Sequence, residues 1–301
     1  MDSIVAQTKK MFIVCLSIDG DGEDYTDIIK TYVQRGLKIR VIPSDINGGP
    51  GMARQRILDT TQCDYIMFAD ADDILMPRAV EVLSKTIMTG GFDIVRSSFM
   101  KEFINAPDKV MKSTDNIVTW FHGKIYKVAY LKEKKINFLP ELRTDEDAYF
   151  NMLAWNGTKN KELVDEITYI WRDNTSSITR GEDKIQYFIN HHMDYIHGQT
   201  EALKKIFVVT NEVPSLLITL TLINIYYYYM MAKFYKCDEQ EMDNCLSSLK
   251  EEAWMKVWLE AKQNWTDALN NVKPGTVFED QYIVFYDEPF STWAMKLFKK
   301  E

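Results

Sequence analysis

The chain has 301 residues, with 36 Lys and Arg against 44 Asp and Glu and a formal net charge of −8. That length suits one large domain, or one domain with a helical appendage. The acidic balance excludes a global pull toward nucleic acid or anionic lipid, and the ordinary composition excludes a collagen-like or disordered chain.

Residues 1–10, MDSIVAQTKK, lack the basic start and long apolar stretch of a secretory leader, which predicts a cytoplasmic protein. Residues 11–18, MFIVCLSI, are a compact apolar run and read as a buried strand. The loop DGDGED follows. Residues 25–35 have helical spacing, with Tyr25, Ile28, Ile29, Tyr32 and Val33 on one side, and Gly36 ends the helix. LKIRVIP is the next strand, SDINGGPG a loop, MARQRILDTT a helix, and CDYIMFAD a third strand. Three β-loop-α units in a row predict an α/β fold, a mostly parallel sheet with helices on both faces. Ligands of such sheets bind at the carboxyl ends of the strands, so DGDGED, SDINGGPG and DADD are expected to face one site.

A helix follows, opened by Pro77 and stopped by Gly90 and Gly91, then the strand DIVRSSFM. A mixed segment with a second acidic cluster leads to EITYIWRDNTSSITR, which contains another strand. From about residue 182 to about residue 271 the pattern is helical. The expected organisation is an α/β domain over 1–181 and a mainly helical region over 182–301.

Residues 213–232 carry no charge and are long enough to span a bilayer. Thr, Asn, Ser and four successive Tyr make them only moderately apolar, so a buried core helix starting near Pro214 is the expectation. In the C-terminal PFSTWAMKLFKKE, Trp293, Leu297 and Phe298 lie among Lys296, Lys299 and Lys300. Docking on the helical region is the expectation; peripheral contact with the inner face of a membrane is the alternative. Cys15, Cys63, Cys237 and Cys245 form no CxxC and no zinc spacing, and read as buried or free thiols in a reducing compartment.

The stretch YIMFADADDILMP packs Asp70, Asp72 and Asp73 together, where they repel. Asp73 as a helix cap explains one carboxylate. A divalent cation, Mg²⁺ or Mn²⁺, explains all three, because hard cations prefer oxygen ligands shared with substrate phosphates.

In this context NGGPGMARQRILDTTQCDYIMFADADDILMP resembles the core of family 2 glycosyltransferases, which have the GT-A fold. The matching residues are Gly48, Gly49, Ala53, Arg54, Asp70, Asp72 and Asp73. WFHGKIYKVAYLKEKKINFLPELRTDEDAYF is similar to the family's acceptor-side segment and ends in Glu146-Asp147. YIWRDNTSSITR resembles the segment that follows. The resemblance covers about residues 1–181.

It implies a metal-dependent inverting transfer from a nucleotide-sugar, usually UDP-linked, to an acceptor hydroxyl. Asp72 would bind the metal on the diphosphate. Asp70 would contact the ribose and support the metal. Asp19 would recognise the nucleobase, and Gly48, Gly49 and Arg54 would approach the nucleotide. Asp147 would be the base, with Glu146 contacting the acceptor or positioning the base. Lys124 and Arg172 would touch phosphates or form ordinary ion pairs. His122 would bond substrate or serve structure. His191, His192 and His197 match no motif and read as surface or packing residues. Acceptors in the family are mostly cell-surface polysaccharides or lipid-linked sugars. TWFHGKIY and WRDNTSSITR also resemble bacteriophage glycosyltransferases, some of them associated with hydroxymethylated DNA; the acidic charge argues against a DNA acceptor.

The front departs from the family pattern. MDSIVAQTKKMFIVCLSIDGDGED resembles the end of the family's first helix followed by its second strand, so the first strand and most of the first helix are expected to be missing. Truncation is the favoured reading, a compact variant the other. Two other functions stay open: an inactive nucleotide-sugar binder, and a nucleotidyltransferase, against which the acidic DGDGED counts.

Overall fold

The computed structural model describes residues 1–102, 111–113, 120–174, 183–210, 215–260 and 290–298. The chain divides into two compact units, Met1–Asp183 and Lys184–Glu301.

The first unit opens with a short helix, α1 (Asp2–Val5), and then strand β1 (Val14–Asp19). Helix α2 (Thr26–Gln34) connects β1 to β2 (Ile39–Ser44). The two strands pair in parallel, from Val14 opposite Ile39 to Asp19 opposite Ser44. They form a two-stranded sheet of their own. Val14 is the one buried residue of β1, and α2 buries none, so the strand expected to be buried is covered only in part.

Helix α3 (Gly49–Thr60) begins earlier than its sequence pattern suggests. The glycine segment expected as a loop is its first turn, because Pro50 sits at the start of the helix, where its missing N–H costs no intrahelical bond.

The remaining strands are β3 (Tyr65–Ile66), β4 (Ile74–Leu75), β5 (Ile94–Lys101), β6 (Met111–Ser113), β7 (Lys124–Lys127) and β8 (Lys161–Trp171). Their order is β3-β7-β5-β8-β4, with β6 also on β5. The α/β class stands, but this sheet is mixed. Only β5 and β8 run parallel, while β3–β7, β4–β8, β5–β6 and β5–β7 are antiparallel. The β-loop-α alternation that predicts parallel pairing holds for β1 and β2, but apolar periodicity locates the later strands without naming their partners. Ile94 to Phe99 are buried without alternation, as a central strand covered on both faces requires.

Helix α4 (Ala79–Gly90) places Leu83 and Ile87 in the core and ends at Gly91, whose φ of 65° supplies the left-handed cap. The buried Gln7 ties the N-terminal segment to the start of α4. Its Nε2 donates to the carbonyls of Ser3 and Met76, and its Oε1 accepts from Val80 N–H at 3.0 Å. Helices α5 (Val128–Glu133) and α6 (Glu146–Asn156) complete the unit. Phe68, Phe121, Tyr126, Phe138 and Phe150 form an aromatic cluster beneath them, with Phe138 stacked on Phe150 at 4.4 Å.

The second unit comprises α7 (Lys184–Thr210), α8 (Ser215–Phe234), α9 (Glu239–Ser247), α10 (Ala253–Glu260) and α11 (Phe290–Phe298). As expected, α8 is a core helix: Ile218, Leu222, Ile225, Tyr226 and Tyr229 are buried. No helix among the described residues is long and apolar enough to cross a membrane. In α11, Phe290 and Trp293 each pack on Tyr226 at 5.5 Å, and Phe298 is buried. The apolar face of α11 is therefore docked rather than offered to a membrane. Residues 261–271, expected to be helical, lie outside the described residues, as does the Ser-Ile-Thr run within 175–182. All four cysteines are free.

Candidate active site

Asp19 ends β1 beside the start of α3. Its carboxylate accepts from Gly48 N–H at 3.0 Å, Gly49 N–H at 2.7 Å and Arg56 Nη2 at 2.5 Å. Burial raises its pKa, but Arg56 and the two amides outweigh that and hold the carboxyl below its ordinary value. Gly20 must be glycine here: at φ 64°, a Cβ would meet the Asn47 amide nitrogen at 2.6 Å. Asp19, expected at the nucleobase, thus fastens the glycine turn.

The acidic turn after β3 divides its carboxylates. Asp72 is exposed and accepts from Asn174 Nδ2 at 3.2 Å. Asp73 is turned inward: its Oδ2 accepts from the Tyr169 hydroxyl at 2.6 Å and its Oδ1 from Arg172 N–H at 2.9 Å. Burial pushes the Asp73 carboxyl up to about 6, and Asp70 and Asp72 add repulsion against the partial relief from Tyr169 and Arg172.

His122, 6% exposed, stands behind this turn. It stacks on Tyr169 at 4.8 Å and touches Phe99 and Trp171 at 4.9 and 5.0 Å. Ligand atoms of Asp70, Asp73 and His122 lie within 4.8 Å of one another, so these three can hold a metal ion. Two carboxylates and one imidazole suit a divalent cation of the Mn²⁺ type. The expected metal pair was Asp72 with Asp70. Asp70 is retained in the compact group, but Asp72 lies outside it, because the turn directs Asp73 rather than Asp72 toward His122.

Arg54, on α3, is the central cation. Its Nη2 donates to Asp70 Oδ1 at 2.5 Å and its Nη1 to Glu146 Oε1 at 2.6 Å. Its guanidinium lies over the Phe121 ring at 4.7 Å. Burial opposes its charge, but Asp70, Glu146 and Asp147 outweigh that and raise its pKa. For Asp70, burial acts upward and Arg54 downward, and Arg54 prevails.

Glu146 and Asp147 open α6, where the helix dipole favours acids. Asp145 precedes them at φ 58°, a rare conformation outside glycine. Asp147 is half-buried, and its Oδ1 accepts from Ala148 N–H at 2.8 Å. Burial pushes its carboxyl up to about 7; Glu146 and Asp70 push the same way, against Arg54. That value suits a group that must take a proton near neutral pH.

Lys124, expected at the donor, is a core residue. It is 2% exposed, lies opposite Arg96 in the β5–β7 register, and its Nζ donates to the Trp120 carbonyl. Burial brings its pKa down to about 7, with Arg96 adding repulsion. Arg172 is half-exposed and pairs with Glu102 at 3.4 Å.

An open cavity of about 820 Å³ lies against the acidic turn, with Asp72, Asp73, Arg172 and Asn174 on its wall. Its volume is in the range of small-molecule sites. Tyr169 is a site residue that the sequence reading does not single out, although it is the tyrosine of the YIWR run. Asp73 and His122 are both visible in the sequence but not joined there, since only the fold sets the carboxylate that precedes β4 against the residue before Gly123.

The glycosyl transferase family 2 model matches residues 1–148. This stretch carries the glycine turn, the acidic turn and Glu146-Asp147. Residues 1–148 are a family 2 glycosyltransferase domain. Among curated relatives, the glycosyltransferase EpsJ of Bacillus subtilis is 26% identical over 60% of this chain and 58% of its own. The poly(ribitol-phosphate) β-N-acetylglucosaminyltransferase TarS of Staphylococcus aureus is 27% identical over 54% of this chain and 30% of its own. The chain thus spans less than two thirds of the length of either relative.

The structure of residues 1–349 of TarS in complex with UDP-GlcNAc superposes with a TM-score of 0.53 at 18% identity, covering 95% of this chain and 88% of that one. The mannosyltransferase PcManGT of Pyrobaculum calidifontis, in complex with GDP-Man and Mn²⁺, gives 0.52 at 12% identity, covering 98% of this chain and 78% of that one. At such identities the likeness concerns the fold, which is GT-A.

Proposed function

We propose that this chain is a metal-dependent inverting glycosyltransferase that moves a sugar from a UDP-linked donor to an acceptor hydroxyl. The observation that carries the reading is the reach of one side chain. Arg54 touches Asp70 of the candidate cation group and Glu146 beside Asp147. The cation side and the base side of the site therefore meet across a single guanidinium.

Asp147 takes the proton of the acceptor hydroxyl. The freed oxygen bonds to the anomeric carbon, the bond from that carbon to the diphosphate oxygen breaks, and the proton stays on Asp147. A single displacement inverts the anomeric centre. Asp70, Asp73 and His122 would hold a divalent cation, and such an ion would supply positive charge to the leaving diphosphate. Asp19 shapes the glycine turn, and Asp72 faces the cavity from which the donor approaches. The UDP-GlcNAc complex of TarS supports the choice of donor, and the Mn²⁺ complex of PcManGT the choice of metal. The poly(ribitol-phosphate) named for TarS supports a hydroxyl of a polyol-phosphate polymer as acceptor.

A second reading is donor binding without turnover. The separate two-stranded sheet favours it, since β1, which carries Asp19, pairs with β2 alone among the described residues. The test is UDP release from a panel of UDP-sugars with Mn²⁺ or Mg²⁺. The transferase reading expects release that EDTA stops. Retained UDP-GlcNAc binding without release from any donor supports the binder instead.

A further inference from the structure

We propose that Arg54 is a positioning residue: it holds the first turn of α6, and with it Asp147, in fixed relation to Asp70. This deepens the transferase reading and rests on it.

Two observations carry it. The first is the fork. The guanidinium, 14% exposed, donates one nitrogen to Asp70 and the other to Glu146, at 2.5 and 2.6 Å, and stacks on Phe121 at 4.7 Å. A planar fork stacked on a ring has little freedom, so the two carboxylates it spans are fixed relative to each other. The second is the fit between α3 and α6. A Cβ on Gly51 would lie 3.1 Å from Glu146 Cγ and 3.2 Å from its Cβ. Gly51 and Arg54 are three residues apart, on the same face of α3. Glu146 is thus seated against the bare backbone of α3 and clamped from above by Arg54. Its carboxylate is engaged by the protein, so it orders the base rather than touching the acceptor. Donor binding by Arg54, the role implied by resemblance, predicts a different kinetic signature.

The substitutions are Arg54→Lys and Glu146→Gln in the full chain. Lysine keeps the charge but lacks the fork, which keeps the buried carboxylates compensated. The physical readout is amide hydrogen exchange across residues 145–150, with β5 and β8 as internal reference. In R54K, exchange of the α6 first turn is expected to rise about tenfold while the reference stays unchanged. With UDP-GlcNAc and Mn²⁺ as probes, kcat is expected to fall about 10- to 100-fold, with the donor KM within about threefold of wild type. In E146Q the amide oxygen still accepts from Arg54, and exchange is expected to stay within about threefold of wild type. Unchanged exchange in R54K, a uniform rise across the whole unit, or a loss expressed in donor KM would overturn the proposal. Hydrogen exchange decides it even if no donor turns over, whereas failure of wild-type turnover counts against the transferase reading alone.

Discussion

The Tyr169 hydroxyl donates to Asp73 Oδ2 at 2.6 Å, and its phenol oxygen accepts from Asp70 N–H at 3.2 Å. One phenol on β8 therefore fixes both ends of the acidic turn that β3 leads into. Burial, together with Asp70 and Asp73, raises the Tyr169 pKa, so it remains a donor at working pH. Tyr169→Phe leaves Asp73 buried with one fewer donor. The expected cost is about 1–3 kcal/mol in chemical denaturation. Donor turnover is expected to fall by more than the stability loss explains, because the turn loses its register.

The candidate cation group makes a graded prediction. Asp70→Asn, Asp73→Asn and His122→Ala should each raise the Mn²⁺ concentration for half-maximal activity by about 10- to 100-fold. Asp72→Asn should leave that concentration within about threefold and act on donor KM instead. A metal titration of the four variants separates this arrangement from one in which Asp72 leads.

Asp147 sets the pH behaviour. Its folded pKa, pushed up to about 7, lies well above the ordinary aspartate value of about 4. The base must be ionised to work, so kcat should fall about tenfold per unit as pH drops below that value. For stability the sign is opposite to that of a salt-bridged acid. Between the two values the folded state binds more protons than the unfolded one, so stability declines as pH rises from about 4 to about 7. Asp147→Asn removes this burden. The variant should be inactive, yet more stable than wild type at pH 8 by on the order of 1 kcal/mol or more, with the advantage vanishing near pH 4. Denaturation of both proteins across that range checks it.

Gly123 tests the packing between the sheet and His122. It adopts φ 65°, and a Cβ there would lie 2.3 Å from Ser97 Oγ and 3.2 Å from Thr168 Oγ1. Those two oxygens are themselves 2.5 Å apart in a buried hydrogen bond. Gly123→Ala should therefore cost about 2–4 kcal/mol, read as a shift in denaturation midpoint at unchanged m-value.

Much of this was legible in the residues. The glycine at the end of α4, the Asp that closes β1 and the acids that open α6 all announce themselves locally, through turn chemistry and the helix dipole. The burial of α8 followed from its tyrosines. Pairing direction was not legible, because β3, β7 and β5 read alike whichever way their neighbours run. The burial of Lys124 was hidden for a similar reason. Alternation along β7 does not reveal that Arg96 on the facing strand shares the same interior. The division of labour between Asp72 and Asp73 depends on Tyr169, nearly a hundred positions away, and no local pattern links the two.

The most direct test of the central claim pairs two measurements on wild type and Asp147→Asn. One is calorimetric binding of UDP-GlcNAc with Mn²⁺; the other is Mn²⁺-dependent UDP release from UDP-sugars. The account predicts binding within about threefold between the two proteins, with release at least about 100-fold slower in the variant. Release from Asp147→Asn at the wild-type rate would contradict it.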